Sequence, residues 1–121
     1  MSVLENKPCA ILVRPRIYIG AGIAVGPGKI DLLRAVGETR SIAASARLLS
    51  MPYKRAWLLI ESLNEGFGRQ VVESATGGKG GGGTTLTALG QQLIAAYDAL
   101  EIRLNTEAAL ELEALCRLAD R

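Results

Sequence analysis

The sequence predicts a mainly α-helical domain with a small β wing, and three patterns in its 121 residues support this prediction. Apolar residues recur at helical spacing in three successive segments between residues 28 and 63. Two β-prone segments then enclose a run of glycines. From residue 87 onward, leucines recur at helical spacing and no proline interrupts them. This order is typical of a winged helix-turn-helix followed by a long C-terminal helix.

The first predicted elements are a β-hairpin and a helix. Residues 14–19 end in β-prone side chains, a Gly-Ala-Gly turn follows, and residues 23–25 can pair back across it. The next apolar spacing predicts a helix over residues 28–38, and Gly37 suits its end. Residues 1–13 have no clear period, so we expect a loose N-terminal arm there.

Two more helices form the predicted helix-turn-helix. Ser41 is a good N-cap for a short helix that runs to Leu49. Pro52 favours the first turn of a third helix, which reaches about Leu63 before glycines end it. Ser50 lies at a turn position where glycine is more common. Small or apolar residues occupy the positions where the two helices should touch: Ala46, Leu49, Met51, Ala56 and Leu59.

Several polar or aromatic residues have a plain structural interpretation. Trp57 lies among apolar neighbours, and we expect it in the core. Glu61 and Glu65 are most simply a solvated helix face. Arg14 and Arg16 could form a minor-groove arm, although a solvated strand end is the commoner case. No nucleophile–base pair or set of convergent carboxylates supports catalysis, so we expect no enzyme and no cofactor.

The glycine run lies between the β-prone segments 71–73 and 84–86. A phosphate-binding loop would need Ser or Thr after its Gly-Lys pair, but Gly80 follows Lys79. A flexible loop remains open, because glycine-rich chains resist ordering. The alternative is a mobile wing tip whose bare backbone and Lys79 can approach a phosphate or a minor groove.

Residues 87–121 should form one long helix, with Thr87 as a plausible N-cap. At ~1.5 Å per residue, this helix would be on the order of 50 Å long. A small domain cannot cover that length by itself, so the far half needs a partner. We expect dimerisation through leucines of this stripe: Leu89, Leu93, Leu100 and Leu104.

Charge is distributed unevenly along the chain, although the net charge is only +2. Residues 14–80 carry ten Lys/Arg against five Asp/Glu, whereas residues 81–121 carry three against six. A basic front suits a protein whose first two-thirds meets a polyanion. Apolar runs are too short for a membrane span, and the N-terminus lacks the features of a signal peptide.

The two cysteines have no metal-ligand spacing, and the chain has no histidine, which argues against a zinc site. Reduced thiols in a cytoplasmic setting are the default expectation.

The start of the third helix is the candidate DNA-reading segment. Tyr53, Lys54 and Arg55 crowd the part of such a helix that enters the major groove. Arg can read guanine edges, whereas Lys and Tyr more often hold phosphates. An ordinary helical hairpin with solvated charges remains the alternative. The full predicted DNA-binding set is Ser41, Ser50, Tyr53, Lys54, Arg55, Thr76 and Lys79.

Several segments resemble the N-terminal DNA-binding domain of ModE-type, molybdate-responsive transcription regulators. They are RPRIYI at 14–19, GPGKIDLL at 26–33, SIAASAR at 41–47, YKRAW at 53–57 and ATGGKGGGG at 75–83. The resemblance covers about residues 14–101 and implies a LysR-like winged helix-turn-helix at 14–86 with a dimerisation helix at 87–121. It also implies regulation of molybdenum-related genes, with Tyr53, Lys54 and Arg55 in the recognition helix and Lys79 in the wing.

One departure from the family limits this inference. Members that sense molybdate do so in C-terminal β-barrel domains, whereas this sequence stops after the long helix, so we expect no molybdate binding from it. The leading hypothesis is a homodimer that binds double-stranded DNA as a repressor or an activator. The alternative is an interaction protein that heterodimerises through residues 87–121 with a full-length family member.

Overall fold

The structure is a computed structural model that describes residues 12–75 and 83–119. Its elements confirm the predicted fold class: mainly helical, with small antiparallel sheets. The strands are β1 (Ile17–Ile19), β2 (Ile23–Val25), β3 (Val72–Ala75) and β4 (Gly83–Leu86). The helices are α1 (Pro27–Thr39), α2 (Ile42–Leu48), α3 (Tyr53–Phe67), α4 (Ala88–Glu107) and α5 (Ala109–Ala119).

The N-terminal hairpin forms as predicted. β1 and β2 are antiparallel, with Tyr18 opposite Ala24. Gly20 lies in the connecting turn at φ +59°, in the left-handed region that glycine adopts without steric cost. Pro27 then occupies the first turn of α1, where its missing N–H leaves no unpaired donor.

α1 ends within one residue of the predicted position 38, but Gly37 is not the residue that ends it. The helix continues to Thr39, and Arg40 closes it in the left-handed conformation (φ 60°), donating its N–H to Val36 O at 2.8 Å. A Cβ on Gly37 would lie 3.0 Å from Leu86 Cδ1. The glycine therefore allows close packing of β4 on α1 and does not terminate the helix.

Residues 15–97 form one compact unit around an aliphatic core. The helices supply most of the fully buried side chains, among them Ile30, Leu33, Ala56 and Leu63. Ala46 of α2 is also buried, and its small side chain permits the close helix contact that the sequence predicts. The first turns of α4 add Leu89, Leu93 and Ile94 at the core edge.

Residues 12–14 and 98–119 belong to a second compact unit. The long helix predicted from residue 87 is interrupted at Ala108, which separates α4 from α5. One turn earlier, Asn105 Nδ2 donates to Glu101 O (2.8 Å) and to Val13 O (3.0 Å). Helical backbone bonds continue on both sides of the interruption, from Ala108 N–H to Leu104 O (3.0 Å) and from Leu112 N–H to Ala108 O (2.9 Å).

The expectation of reduced thiols is wrong for Cys116, which is buried and disulfide-bonded. The other cysteine of the chain, Cys9, lies outside the described residues. Across 12–75 and 83–119, no helix is both long and apolar enough to span a bilayer.

Candidate nucleic-acid interface

α2 begins at a side-chain cap, as the sequence predicts. Ser41 Oγ accepts the N–H of Ala44 at 3.0 Å, which satisfies one of the unpaired donors of the first turn. Below it, the buried Ser45 hydroxyl donates to Ser41 O at 2.8 Å and lies 2.9 Å from Thr39 Oγ1. These bonds fix the α1–α2 corner, so Ser41 serves the geometry of the motif.

The turn between α2 and α3 is a Schellman motif. Met51 N–H donates to Ala46 O at 2.9 Å, and Ser50 N–H donates to Arg47 O at 3.1 Å. Ser50 has φ +56°, the left-handed conformation that glycine normally supplies. The structure thus explains why a glycine is expected here and shows a serine in the strained position.

α3 has one buried face and one outward face. Ala56, Ile60 and Leu63 are buried, and at ~100° per residue the opposite side of the helix holds Lys54 and Leu58. Tyr53, Lys54 and Arg55 are all exposed at the start of the helix. Arg55 lies at the flank, beside an open groove of about 330 Å³ lined by Pro52, Lys54, Arg55, Leu58 and Leu59.

Trp57 is not a core residue, since 45% of its surface is exposed. It follows the buried Ala56 by one position, and the helical step turns it to the edge of the buried face. Apolar neighbours in sequence are therefore not its neighbours in space. The indole lines a polar groove of about 190 Å³ together with Glu61, Gln70 and Thr84.

The wing strands β3 and β4 pair antiparallel, with Glu73 opposite Thr85 and Val72 opposite Leu86. Thr84 N–H donates to Arg40 O at 2.9 Å, which ties β4 to the end of α1. The predicted wing residues Thr76 and Lys79 lie outside the described residues.

Several hydrogen bonds connect the base of the wing to α3 and α4. Asn64 Oδ1 accepts the N–H of Val71 at 2.8 Å, and Thr87 N–H donates to Val71 O at 3.0 Å. Thr87 Oγ1 donates to Gln70 O (2.7 Å) and accepts from Gly90 N (3.2 Å), so it caps α4 as predicted. We call Asn64, Gln70, Val71, Thr87 and Gly90 the wing base.

Charge separates the two halves of α3. Residues 39–60 contain no Asp or Glu and carry four basic side chains: Arg40, Arg47, Lys54 and Arg55. The next turns of α3 carry Glu61, which is partly buried, and Glu65, which is exposed. From Thr39 to Ile60, which includes α2, the turn and the first half of α3, every formal charge is therefore positive.

Lys29 is basic but has an internal role. Its Nζ donates to Ala24 O at 2.7 Å and to Ser62 Oγ at 3.2 Å, which joins α1 to β2 and α3. Burial, and then the nearby Arg16 charge, lower the pKa of Lys29 from its ordinary value of 10.5. Arg16 itself lies with its guanidinium 5.8 Å from the Tyr18 ring centroid, and Arg14 forms a 3.5 Å ion pair with Glu101.

The predicted dimerisation leucines have two kinds of surroundings. Leu89 and Leu93 are partly buried and pack against the core of residues 15–97. Leu100 is 37% exposed, and Leu104 is partly buried. Other apolar residues of α4 and α5 are more exposed: Ile102, Leu110, Leu115 and Leu118. Dimerisation through this region stays a prediction.

Two features of the site were missed at the level of sequence. Leu58, 51% exposed, lies on the outward face of α3, and a helical projection anchored on Ala56, Ile60 and Leu63 would have placed it there. Asn64 looked like an ordinary surface residue, and its bond to Val71 depends on the fold of the wing.

The chain has sequence relatives among known proteins. No protein-family model matches the chain. Its residues are 45% identical over 74 positions to the DNA-binding transcriptional dual regulator ModE of Escherichia coli, which covers 61% of this chain and 28% of that protein. The chain is a relative of the ModE-type regulators.

Two further matches show how much of each chain the similarity covers. The molybdenum transport protein ModE of Azotobacter vinelandii is 34% identical over 110 residues, 91% of this chain and 38% of that protein. The molybdenum-pterin-binding protein MopB of Rhodobacter capsulatus is 45% identical over 80 residues, 66% of this chain and 30% of that protein. The chain thus spans about a third of the length of these three relatives.

Proposed function

We propose that this chain is a sequence-specific, DNA-binding transcription regulator. The observation that supports this most strongly is the outward, cationic first half of α3, which follows a tight Schellman turn and precedes a wing. A helix presented this way can lie in the major groove with its first residues against the base edges. The E. coli relative is named a DNA-binding transcriptional dual regulator, which agrees with this proposal.

Different side chains would supply affinity and specificity. Arg47 and Lys54, which are exposed on either side of the turn, would contact phosphates. Arg55 would reach a guanine edge, and good base contacts contribute about 1–3 kcal/mol of discrimination each. Lys79 of the wing would add a phosphate contact. Its removal would lower the affinity for every DNA sequence.

We further propose that the regulated genes are molybdenum-related, because the A. vinelandii relative is named a molybdenum transport protein. We assign effector binding to no residue of this chain. Mapping the sites that the chain binds in the genome of its own organism tests directly which genes it regulates. Binding sites beside genes unrelated to molybdenum would contradict this part of the proposal.

A homodimer would match a palindromic operator. Exposed leucines of α5 support a second copy as partner, since Leu110 is 78% and Leu118 is 83% exposed. Sedimentation should give a dimer for the full chain and a monomer for Leu110→Glu/Leu118→Glu. A monomer that ignores DNA would favour the alternative of an interaction protein that pairs with another family member.

The binding test uses fluorescence anisotropy with a duplex selected by the chain from a randomised library, a scrambled duplex, and several salt concentrations. Each neutralised phosphate should contribute about −0.9 to the slope of log K against log salt. Arg55→Ala should lose about tenfold or more on the selected duplex and little on the scrambled one. Lys54→Ala should weaken both and reduce the slope by about one.

Arg103→Ala is the matched control, because it removes an exposed charge from α4. It should leave both affinities unchanged. Failure of the library to enrich any sequence, or equal losses for Arg55→Ala on both duplexes, would count against sequence-specific binding by this helix.

A further inference from the structure

The outward face of α3 carries a large apolar side chain where a solvated polar residue would ordinarily lie. Leu58 is 51% exposed, one turn after Lys54 on the side opposite the core. Leu48, at the end of α2, is 62% exposed. Single exposed leucines are common on proteins, so exposure alone decides nothing. Its position, at the surface proposed to meet DNA, makes Leu58 informative.

The surroundings of Leu58 combine an apolar floor with a cationic rim. The open groove beside it has Pro52 and Leu59 in its wall, and the basic side chains Lys54 and Arg55 also line it. The nearest acidic residue along α3 is Glu61, and none occurs from residue 39 to residue 60. A polyanion that presents a small apolar group would complement this groove in both charge and polarity.

The major groove of DNA presents one such group. Thymine alone among the four bases carries a C5-methyl there, and apolar side chains distinguish it from the other bases by contact. Leucine has no hydrogen-bonding atom in its side chain, so it can read a methyl group but no polar edge.

We propose that Leu58 is a specificity-determining residue that contacts a thymine C5-methyl group in the operator. The inference rests on the proposed function, because it assumes that α3 lies in the major groove. Lys54 and Arg55 hold the flanking phosphate and base, and the methyl group enters the groove against Leu58 and Leu59. Specificity at that base pair then comes from apolar burial, and it is insensitive to salt.

The test uses the full chain and a duplex that the chain selects from a randomised library. Each thymine is replaced in turn by deoxyuridine, which removes the methyl group and keeps Watson–Crick pairing. Affinity is measured for the wild type, Leu58→Ala and Leu58→Met. At one or two positions the wild type should lose about fourfold, the equivalent of one buried methyl group. Leu58→Met should keep that loss because it keeps an apolar contact, whereas Leu58→Ala should abolish it.

The outcomes separate this inference from the function on which it rests. Binding with no deoxyuridine-sensitive position overturns the methyl contact and leaves DNA binding intact. So does a deoxyuridine penalty that is equal in the wild type and Leu58→Ala, because another residue then reads the methyl. Failure to enrich any duplex overturns both proposals. The deoxyuridine series on the wild type needs no variant, so a folding defect in Leu58→Ala does not affect it.

Discussion

The start of α3 and the wing base are built on opposite principles, although one helix contributes to both. At the start of α3, Tyr53, Lys54 and Leu58 are exposed, with the charge all positive. At the wing base, the side chains of Asn64 and Thr87 form hydrogen bonds that join α3, the wing and α4. Under the proposed function, the first region contacts DNA, and the hydrogen bonds of the second hold α3, the wing and α4 together.

This contrast separates two classes of substitution. Changes at the start of α3 should alter DNA binding and leave the free energy of unfolding nearly unchanged, since exposed residues away from caps contribute little to it. Changes at the wing base should destabilise the domain, because they remove bonds or space that buried groups need.

Gly90→Ala should have the largest effect. A Cβ at this position would overlap the carbonyl oxygen of Val71, a backbone atom that also accepts the N–H of Thr87. We expect a loss of about 3 kcal/mol in the free energy of unfolding, because the overlap forces α4 away from Val71. Urea denaturation measures it. Gly28→Ala is the control, since a Cβ there meets nothing within 4 Å; equal losses in the two variants would contradict this account.

Asn64→Ala should cost about 2 kcal/mol, because it leaves the buried N–H of Val71 without its acceptor. Asn64→Asp retains the acceptor for Val71 and gives up only the longer donor bonds to Glu61 Oε1 (3.4 Å) and Gln70 Oε1 (3.2 Å). It should therefore lose less at a pH low enough to protonate the carboxyl groups. Thermal unfolding of the two variants distinguishes them. If Asp and Ala destabilise equally, the bond to Val71 is not what Asn64 contributes.

Ser50→Gly should stabilise the domain by about 0.5 kcal/mol. Ser50 adopts φ +56° in the turn, and glycine relieves that strain at some cost in the entropy of the unfolded chain. Denaturant midpoints compared with Ser50→Ala, which keeps the strain, provide the measurement. The two variants both lack the hydroxyl and differ only in the Cβ, so a lower stability for Ser50→Gly than for Ser50→Ala would contradict the strain at this backbone position.

Lys29 should give a small pH effect. Its pKa in the folded state is lowered by burial and by Arg16, so the folded state binds this proton less tightly than the unfolded state does. The free energy of unfolding should therefore rise with pH between the lowered pKa and the ordinary value of 10.5. The slope should be smaller in Lys29→Met. An unchanged slope in that variant would assign the effect to another group.

Local signals in the sequence were sufficient for most of the fold. Ser41, Thr87 and Gly20 act within their own turns, so their roles can be inferred from residue type and position. The order of helices and wing follows from apolar spacing in the same way. These features depend on contacts between residues close together in the chain.

The errors arose where distant segments decide the outcome. Gly37 looked like a helix stop, but β4 packs against it from 49 residues further along, at Leu86. Trp57 looked buried because its sequence neighbours are apolar, although the helical step turns it to the rim of a polar groove. Asn105 bonds to Val13, a contact between distant segments that no local pattern predicts.

Amide chemical shifts of the full chain, recorded while the selected duplex is added, test the central claim most directly. If the start of α3 meets DNA, the largest shifts should fall in residues 41–58, and the backbone amides of Val71, Thr87 and Gly90 should move little. The scrambled duplex at the same concentration should produce smaller shifts in the same residues. Largest shifts in the wing base or in the acidic second half of α3, residues 61–67, would contradict the account.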